Sequence, residues 1–343
     1  MKTRRDFGKA VVGGTLATAA AMVPGAASAQ TKWRFQSMRQ AGSVNQKVFE
    51  DWTKTLAKVS NNRLVIDPLA VGSVVAYAET LDAITNKVLD GHQSGGPYFS
   101  GKEPALALIG DLNGGFENPY QMQMWFEYGG GLQLAREAYA KFNVHYVGPI
   151  WWGVESIPSK KPLRTMADFK GVKMRVPEGL GADIWRRAGA GVVTLPGSEV
   201  YTALERGLIE ATDWGTLGMN NDLGYHKIAR YPLYPGFHSM PCSEIAVHID
   251  KWKALSPDLQ ALLEMAVRDF ARDMIQRIAL EDEKVVTQAK AQGVTLVTWS
   301  AEERRKFREL ARGAWADWAK KSALSKRVYD SQIAFLKQLQ LID

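Results

Sequence analysis

Gly171-Val-Lys-Met-Arg-Val-Pro177 alternates apolar and basic residues, with Val172, Met174 and Val176 set against Lys173 and Arg175. That period of two predicts a short, half-buried strand. Pro177 has no amide proton and ends strand pairing. Gly179 and Gly181 then open a helical pattern carrying Ala182, Ile184 and Trp185. Arg175 is therefore expected at the end of a strand, at the mouth of a strand-to-helix turn, where open α/β sheets place their ligands. A guanidinium is a planar fork that holds a carboxylate with two parallel hydrogen bonds. A surface arginine closing a local salt bridge has the same local sequence, so the surrounding chain must separate the two readings.

Downstream, Val192 to Pro196 reads as a strand, Ser198 to Gly207 as a helix with Ser198 at its N-cap, and Ile209 to Trp214 as a strand and turn. Upstream, Trp33 to Met38 and Leu64 to Leu69 read as strands. Between them lies a helix with Val44, Val48, Phe49, Trp52, Leu56 and Val59 on one face. A helix from Val75 to Leu89, the glycine-bearing loop His92 to Tyr98, a helix from Pro119 to Phe142 interrupted at Gly129 to Gly131, and the strand His145 to Trp151 follow. This alternation predicts two α/β domains with mainly parallel sheets. Ser243 to Asp250 is the strand that returns to the first of them. The expected boundaries are 30–152 plus about 244–270 for the first domain and 153–243 plus about 271–343 for the second. Ser256 and Pro257 start a run without glycine or proline as far as Gln292. A helix of about 36 residues would be about 54 Å long and would span both domains. Val294 to Trp299 is a last expected strand, Ser300 and Glu303 fit a capping box, and Tyr329 to Leu341 forms an apolar-faced helical tail.

The balance of 46% hydrophobic and 23% charged residues over 343 positions suits a globular chain with a large core. The first 29 residues read as an export leader. Arg4-Arg5 with Phe7 and Lys9 form a twin-arginine pattern, a mild apolar stretch follows, and Ala27-Ser28-Ala29 is a cleavage site that would leave Gln30 first. The stretch is too short and glycine-rich for a membrane span of ~20 residues. The periplasm is the expected location. The leader holds Lys2, Arg4, Arg5 and Lys9 against Asp6, which leaves +4 of the chain's +7 on the mature protein. Its basic residues are dispersed without an aromatic-interleaved patch, so nucleic acid is not an expected partner. Cys242 is the single cysteine and cannot form an intramolecular disulfide.

With these segments in view, the chain from Lys32 to Asp343 resembles the solute-binding subunits of tripartite ATP-independent periplasmic (TRAP) transporters. The likeness rests on the Gly171–Pro177 segment, Ser198-Glu-Val-Tyr-Thr-Ala-Leu-Glu205, Ala211-Thr-Asp-Trp214 and Leu255-Ser-Pro-Asp-Leu-Gln260. Gly101-Lys-Glu-Pro-Ala105 and Tyr128-Gly-Gly-Gly131 are similar to the branch that binds 2-oxo acids with a metal ion. The resemblance implies a two-domain clamshell that captures an organic acid, a 2-oxo or 2-hydroxy monocarboxylate with an aromatic one included. It implies delivery to TRAP membrane subunits for sodium-driven uptake. It also implies that Arg175 is the carboxylate clamp. A periplasmic sensor for a receptor kinase, or a binder of a sugar acid or dicarboxylate, would look alike in sequence.

The branch's metal ligands are matched only in part. Its Glu-Trp pair is Asp213-Trp214 here, its glutamine falls near Glu155, and its later glutamate is replaced by Ser239. Asp213 and Glu155 are thus the candidate ligands for sodium or calcium. The alternative is a metal-free network in which the two carboxylates orient Arg175. Trp151, Trp152, Tyr98, Trp214, Phe237 and His238 are candidate pocket walls beside Ser239, although tryptophans at strand ends also fill cores.

Catalysis is not expected. His92, His145, His226, His238 and His248 show no metal-ligand spacing, and neither a G-x-S-x-G nor a P-loop occurs. His238 and Cys242 are near in sequence, which is poor evidence for a thiol–base pair, and a lone cysteine usually packs in a core. The tail stripes Phe307, Leu310, Trp315 and Trp318, then Ile333, Phe335, Leu336 and Leu339, are wide enough to suggest a homodimer if they stay uncovered.

Overall fold

The structure is a computed structural model that describes residues 30–151, 153–195 and 197–343. The expected twin-arginine leader and Trp152 lie outside the described residues. Strands β1 (Thr31–Ser37), β2 (Leu64–Leu69), β3 (Gly91–Ser94), β4 (Val144–Trp151) and β8 (Cys242–His248) form one sheet in the order β2-β1-β3-β8-β4. Strands β5 (Lys173–Arg175), β6 (Gly191–Val193) and β7 (Ala211–Thr212) form a second, parallel sheet in the order β6-β5-β7. The helices are α1 (Val44–Val59), α2 (Thr80–Thr85), α3 (Ala105–Gly110), α4 (Pro119–Tyr128), α5 (Gly131–Ala140), α6 (Leu180–Arg187), α7 (Val200–Glu205), α8 (Leu217–Asp222), α9 (Ile249–Ala254), α10 (Pro257–Gln288), α11 (Ala301–Ala319) and α12 (Ala323–Gln338).

The first sheet is mixed. β8 runs antiparallel to both β3 and β4, because it re-enters from the second domain between two strands already laid down. In β1, Trp33 and Phe35 point into the core and stack at 5.9 Å, while Arg34 between them faces out. In the second sheet Val172, Met174 and Val176 are fully buried, which places β5 in the centre of that domain. The chain leaves β4 and pairs with the second domain through the bridges Glu155–Thr216, Ile157–Leu233 and Ser159–Ala211.

Helix α10 is 32 residues long, about 48 Å at the usual rise. Its first half lies on the first domain, where Phe270 stacks on Trp52 at 4.9 Å and Ala266 O accepts from Trp52 Nε1 at 2.9 Å. Its second half reaches the second domain, where Asp282 Oδ1 accepts from Gly218 N at 2.7 Å. One helix thus braces both sheets.

Several segments differ from the sequence reading. The Val75–Leu89 helix is only a 3-10 turn (Tyr77–Glu79) followed by α2, since the chain turns at Asn86 and Lys87 to enter β3. The Pro119–Phe142 segment, by contrast, is interrupted where expected: α4 ends at Tyr128 and α5 begins at Gly131. Val294–Trp299 contributes a single bridge, Val297 to Leu233, and no strand. Ser300 caps α11 by accepting from Glu303 N, but the Glu303 carboxylate turns to Met166 N instead of closing the box.

The tail also departs from the expected boundary. Helix α11 touches both domains: Trp315 Nε1 donates to Asn113 O and Trp318 Nε1 to Asp183 Oδ2. Helix α12 packs on α3 and α5 of the first domain, with Gln332 Nε2 donating to Leu108 O at 2.8 Å and Trp125 Nε1 to Ser331 Oγ at 3.0 Å. Residues 323–338 therefore belong with the first domain and not, as the sequence suggested, with the second. Phe307, Trp315, Trp318, Phe335 and Leu336 are all buried within this one chain. Leu310, Ile333 and Leu339 are half-buried against the same core, so most of the stripe that motivated a homodimer is covered by the chain itself.

Candidate functional site

Arg175 ends β5, the central strand of the second sheet, with β6 on one side and β7 on the other. Pro177 and Gly179 turn the chain into α6. Gly179 has φ 128°, a backbone conformation that favours glycine. The arginine is only 2% exposed. Its Nε donates to Leu195 O at 3.1 Å and its Nη1 to Asp213 O at 2.7 Å. Nη2 takes part in neither bond, and the residue lines the cleft between the domains. Both carbonyls fix the direction of the fork, so it is already oriented before a ligand arrives.

Trp214 roofs the arginine, its ring centre 5.0 Å from the guanidinium carbon. The indole lies so close to Gly197 that a Cβ there would meet a ring carbon at 2.1 Å. Glycine at that position is what lets the ring lie down over Arg175.

Two lobes of the cleft share Tyr98, Glu155, Arg175 and Trp214, beside a wider mouth of about 630 Å³ that Tyr98 and Arg175 also line. The smaller, about 70 Å³, is lined in addition by Asp111, Asn113 and Ser239. The larger, about 260 Å³, is walled by Met38, Arg39, Val71, Tyr77 and Met219. Tyr77 and Tyr98 meet edge to face at 4.8 Å, and burial pushes the Tyr98 hydroxyl up to about 12, so it stays protonated.

Behind Arg175 sits a buried acidic cluster. Glu155, Asp213 and His238 bring their ligating atoms within 4.8 Å of one another. His238 Nε2 is 3.1 Å from Asp213 Oδ1 and 3.9 Å from Glu155 Oε2. Burial and the Asp213 charge push the Glu155 carboxyl well above the usual range. Asp213 moves the other way: burial opposes its charge, but the hydrogen bond and charge of His238, with the Glu155 hydrogen bond and the Arg175 charge, together outweigh it and hold the carboxyl low. Ser239 Oγ donates to Asp111 Oδ2 at 2.6 Å, and Asn113 Nδ2 donates to the same oxygen at 2.7 Å. Burial still raises Asp111 to about 7. Two enclosed carboxylates that repel each other, beside an imidazole, have the spacing and the oxygen ligands to receive a hard cation.

The structure thus gathers Tyr98, Glu155, Arg175, Asp213, Trp214 and Ser239 on one cleft, with His238 bonded to Asp213 behind it. Cys242 Sγ instead contacts Ile109 O at 3.6 Å, deep in the core, where burial pushes its thiol up. Sequence reading missed Arg39, Asp111 and Asn113. Arg39 stands two residues beyond β1 and is 8% exposed, and the end-of-strand argument made for Arg175 would have singled it out. Asp111 carried no signal, because Ser239 lies 128 positions away.

Among the described residues no helix is long and apolar enough to cross a membrane. Residues 35–322 match the pattern of bacterial extracellular solute-binding protein, family 7. A monocarboxylate 2-oxoacid-binding periplasmic protein of Nostoc sp. (strain PCC 7120) is 32% identical over 292 residues, which are 84% of this chain and 80% of the relative. A TRAP periplasmic solute-binding protein of Rhodobacter sphaeroides, solved in an apo open form, is 40% identical with a TM-score of 0.78, over 91% of this chain and 99% of that one. One from Pseudoalteromonas atlantica, solved with bound sodium and pyruvate, shares the fold at 24% identity and a TM-score of 0.79, over 91% of this chain and 95% of that one. The chain belongs to this family, the DctP-type periplasmic solute-binding proteins of TRAP transporters.

Proposed function

We propose that the protein captures a 2-oxo or 2-hydroxy monocarboxylate in the periplasm and hands it to TRAP membrane subunits for sodium-driven uptake. The observation that carries this reading is the buried, pre-oriented guanidinium of Arg175 at the cleft between two domains. A carboxylate seated there exchanges its water for charge-assisted hydrogen bonds to a group that needs no reordering. Trp214 covers the pair from one side and Tyr98 offers a hydroxyl from the other domain, so a bound acid touches both halves and favours the closed clamshell. The names of the Nostoc relative and of the Pseudoalteromonas complex point to the same ligand class.

Glu155 and Asp213 would hold a sodium or calcium ion, whose charge would offset that of the acid's carboxylate. Within the chain, His238 keeps Asp213 ionised and Ser239 ties Asp111 out of the way. A solute-binding role needs no catalytic group, and the leader pattern fits export to the periplasm.

Calorimetry of the mature protein with pyruvate and longer 2-oxo acids tests the reading. Micromolar or tighter binding of at least one, with a smaller radius of gyration on saturation, is expected. Mass spectrometry of ligand released on denaturation identifies the natural acid, and release of a neutral sugar or an amine would overturn the assignment.

A further inference from the structure

The two domains present arginines to the cleft in matching positions. Arg175 ends β5, whose neighbours in the sheet are β6 and β7. Arg39 follows β1, whose neighbours are β2 and β3. Each stands where strand order reverses about the central strand, the position at which open α/β sheets bind ligands. Arg39 is nearly as buried as Arg175, at 8% exposure, and it lines the larger lobe together with Tyr98 and Glu155, two of the four residues common to both lobes.

The larger lobe, which Arg39 helps to line, holds about 260 Å³, near the ~300 Å³ at which pockets begin to take drug-sized ligands. A three-carbon acid on Arg175 would leave most of it filled with water. Its other side-chain walls are mainly apolar, from Met38, Val71, Tyr77, Trp214 and Met219, with Gln40, Ser43 and Ser198 as the polar ones. Apolar walls with a guanidinium among them suit a ligand with an apolar body and a hydrogen-bond acceptor beyond it.

We propose that Arg39 is a second ligand anchor: it holds the distal acceptor of an elongated 2-oxo or 2-hydroxy acid whose carboxylate is on Arg175. The preferred ligand is then an acid with an apolar or aryl body and a distal hydroxyl or carboxylate, in preference to pyruvate. This rests on the reading of Arg175 as the carboxylate clamp. Short acids fill only the shared part of the cleft and do not reach Arg39.

Calorimetry on the mature chain with pyruvate, phenylpyruvate and p-hydroxyphenylpyruvate is the test, on wild type, Arg39→Met and Arg39→Lys. The wild type should bind p-hydroxyphenylpyruvate at least about tenfold tighter than pyruvate and tighter than phenylpyruvate. Arg39→Met should remove the advantage of the hydroxyl and leave pyruvate within about threefold, while Arg39→Lys should keep part of it. Equal losses for all three acids, or none, would overturn the proposal. Thermal melts establish that each variant is folded, and if Arg39→Met is not, the lysine variant decides by the same ratio between acids. A wild type that binds pyruvate without preferring the longer acids refutes only the second anchor. A wild type that binds no acid refutes the carboxylate clamp and the anchor with it.

Discussion

The guanidinium carbon of Arg175 lies 5.0 Å from the centre of the Trp214 indole, and Nη1 of the same arginine donates to Asp213 O at 2.7 Å. The flat cation is held by a ring on its face and by carbonyls on its edge. Lysine keeps the charge but is a point donor on a flexible stem, and it cannot serve Leu195 O, Asp213 O and a ligand together. Arg175→Lys should therefore weaken acid binding by ~1.5–3 kcal/mol, roughly 10- to 150-fold. Calorimetry with the natural acid measures it, and an unchanged affinity would remove Arg175 from the clamp.

Glu155 and Asp213 lie too close and too deep for both to be ionised without a positive partner. If a cation is that partner, dialysis against a chelator should weaken acid binding at least tenfold, with sodium or calcium restoring it. Glu155→Gln should do the same, because an amide is the weaker ligand. If a proton on Glu155 does the neutralising, the amide imitates the protonated carboxyl, and both the dialysed protein and the variant should bind normally. The cation is the expected outcome.

The strand of Arg175 was legible because its neighbours obey a strict alternation, and all three apolar members are fully buried. The two-domain plan and the long helix were legible for a similar reason: local period and the absence of breakers set them. What was not legible depends on distant parts meeting. Helix α12 shows an apolar stripe that must be covered, but the stripe does not say whether its own domain, the other domain or a second copy covers it. Asp111 sits in an apolar run and gains its meaning only when Ser239 arrives from the second domain. Arg39 was missed because Gln40 to Ser43 looked like a plain connection, so attention passed over the strand end just before it.

Asp282 joins α10 to the second domain and is pushed up to about 7 by burial, despite hydrogen bonds from Gly218 N, Thr216 and Tyr234, while nearby Glu283 adds a smaller upward push. Its unfolded counterpart titrates near ~3.9. The folded protein thus binds this proton more tightly than the unfolded chain does. The resulting stability is complete below about pH 4 and is lost as pH rises through 7. The melting temperature should fall between pH 5 and pH 8, and Asp282→Asn should flatten that fall while Asp111 keeps part of it. A fall as steep in the variant as in the wild type would show that Asp282 does not hold the proton.

Trp315 ties the tail to the cleft without touching a ligand. It is fully buried on α11, and its Nε1 donates to Asn113 O at 3.2 Å. Asn113 in turn holds Asp111, which receives Ser239 from the other domain. Phe307, two stripe positions earlier, packs where a side chain at Gly114 would otherwise go. Trp315→Ala should leave a large cavity and an unpaired carbonyl, and lower unfolding stability by ~3–5 kcal/mol. Trp315→Phe refills most of the volume and should cost less. Saturating acid should recover part of the lost melting temperature in both variants, since ligand binds only the folded protein. Denaturant unfolding of the three proteins, with and without acid, measures both effects. An alanine variant as stable as the wild type would mean that α11 is not the tie between the tail and the Asp111 loop.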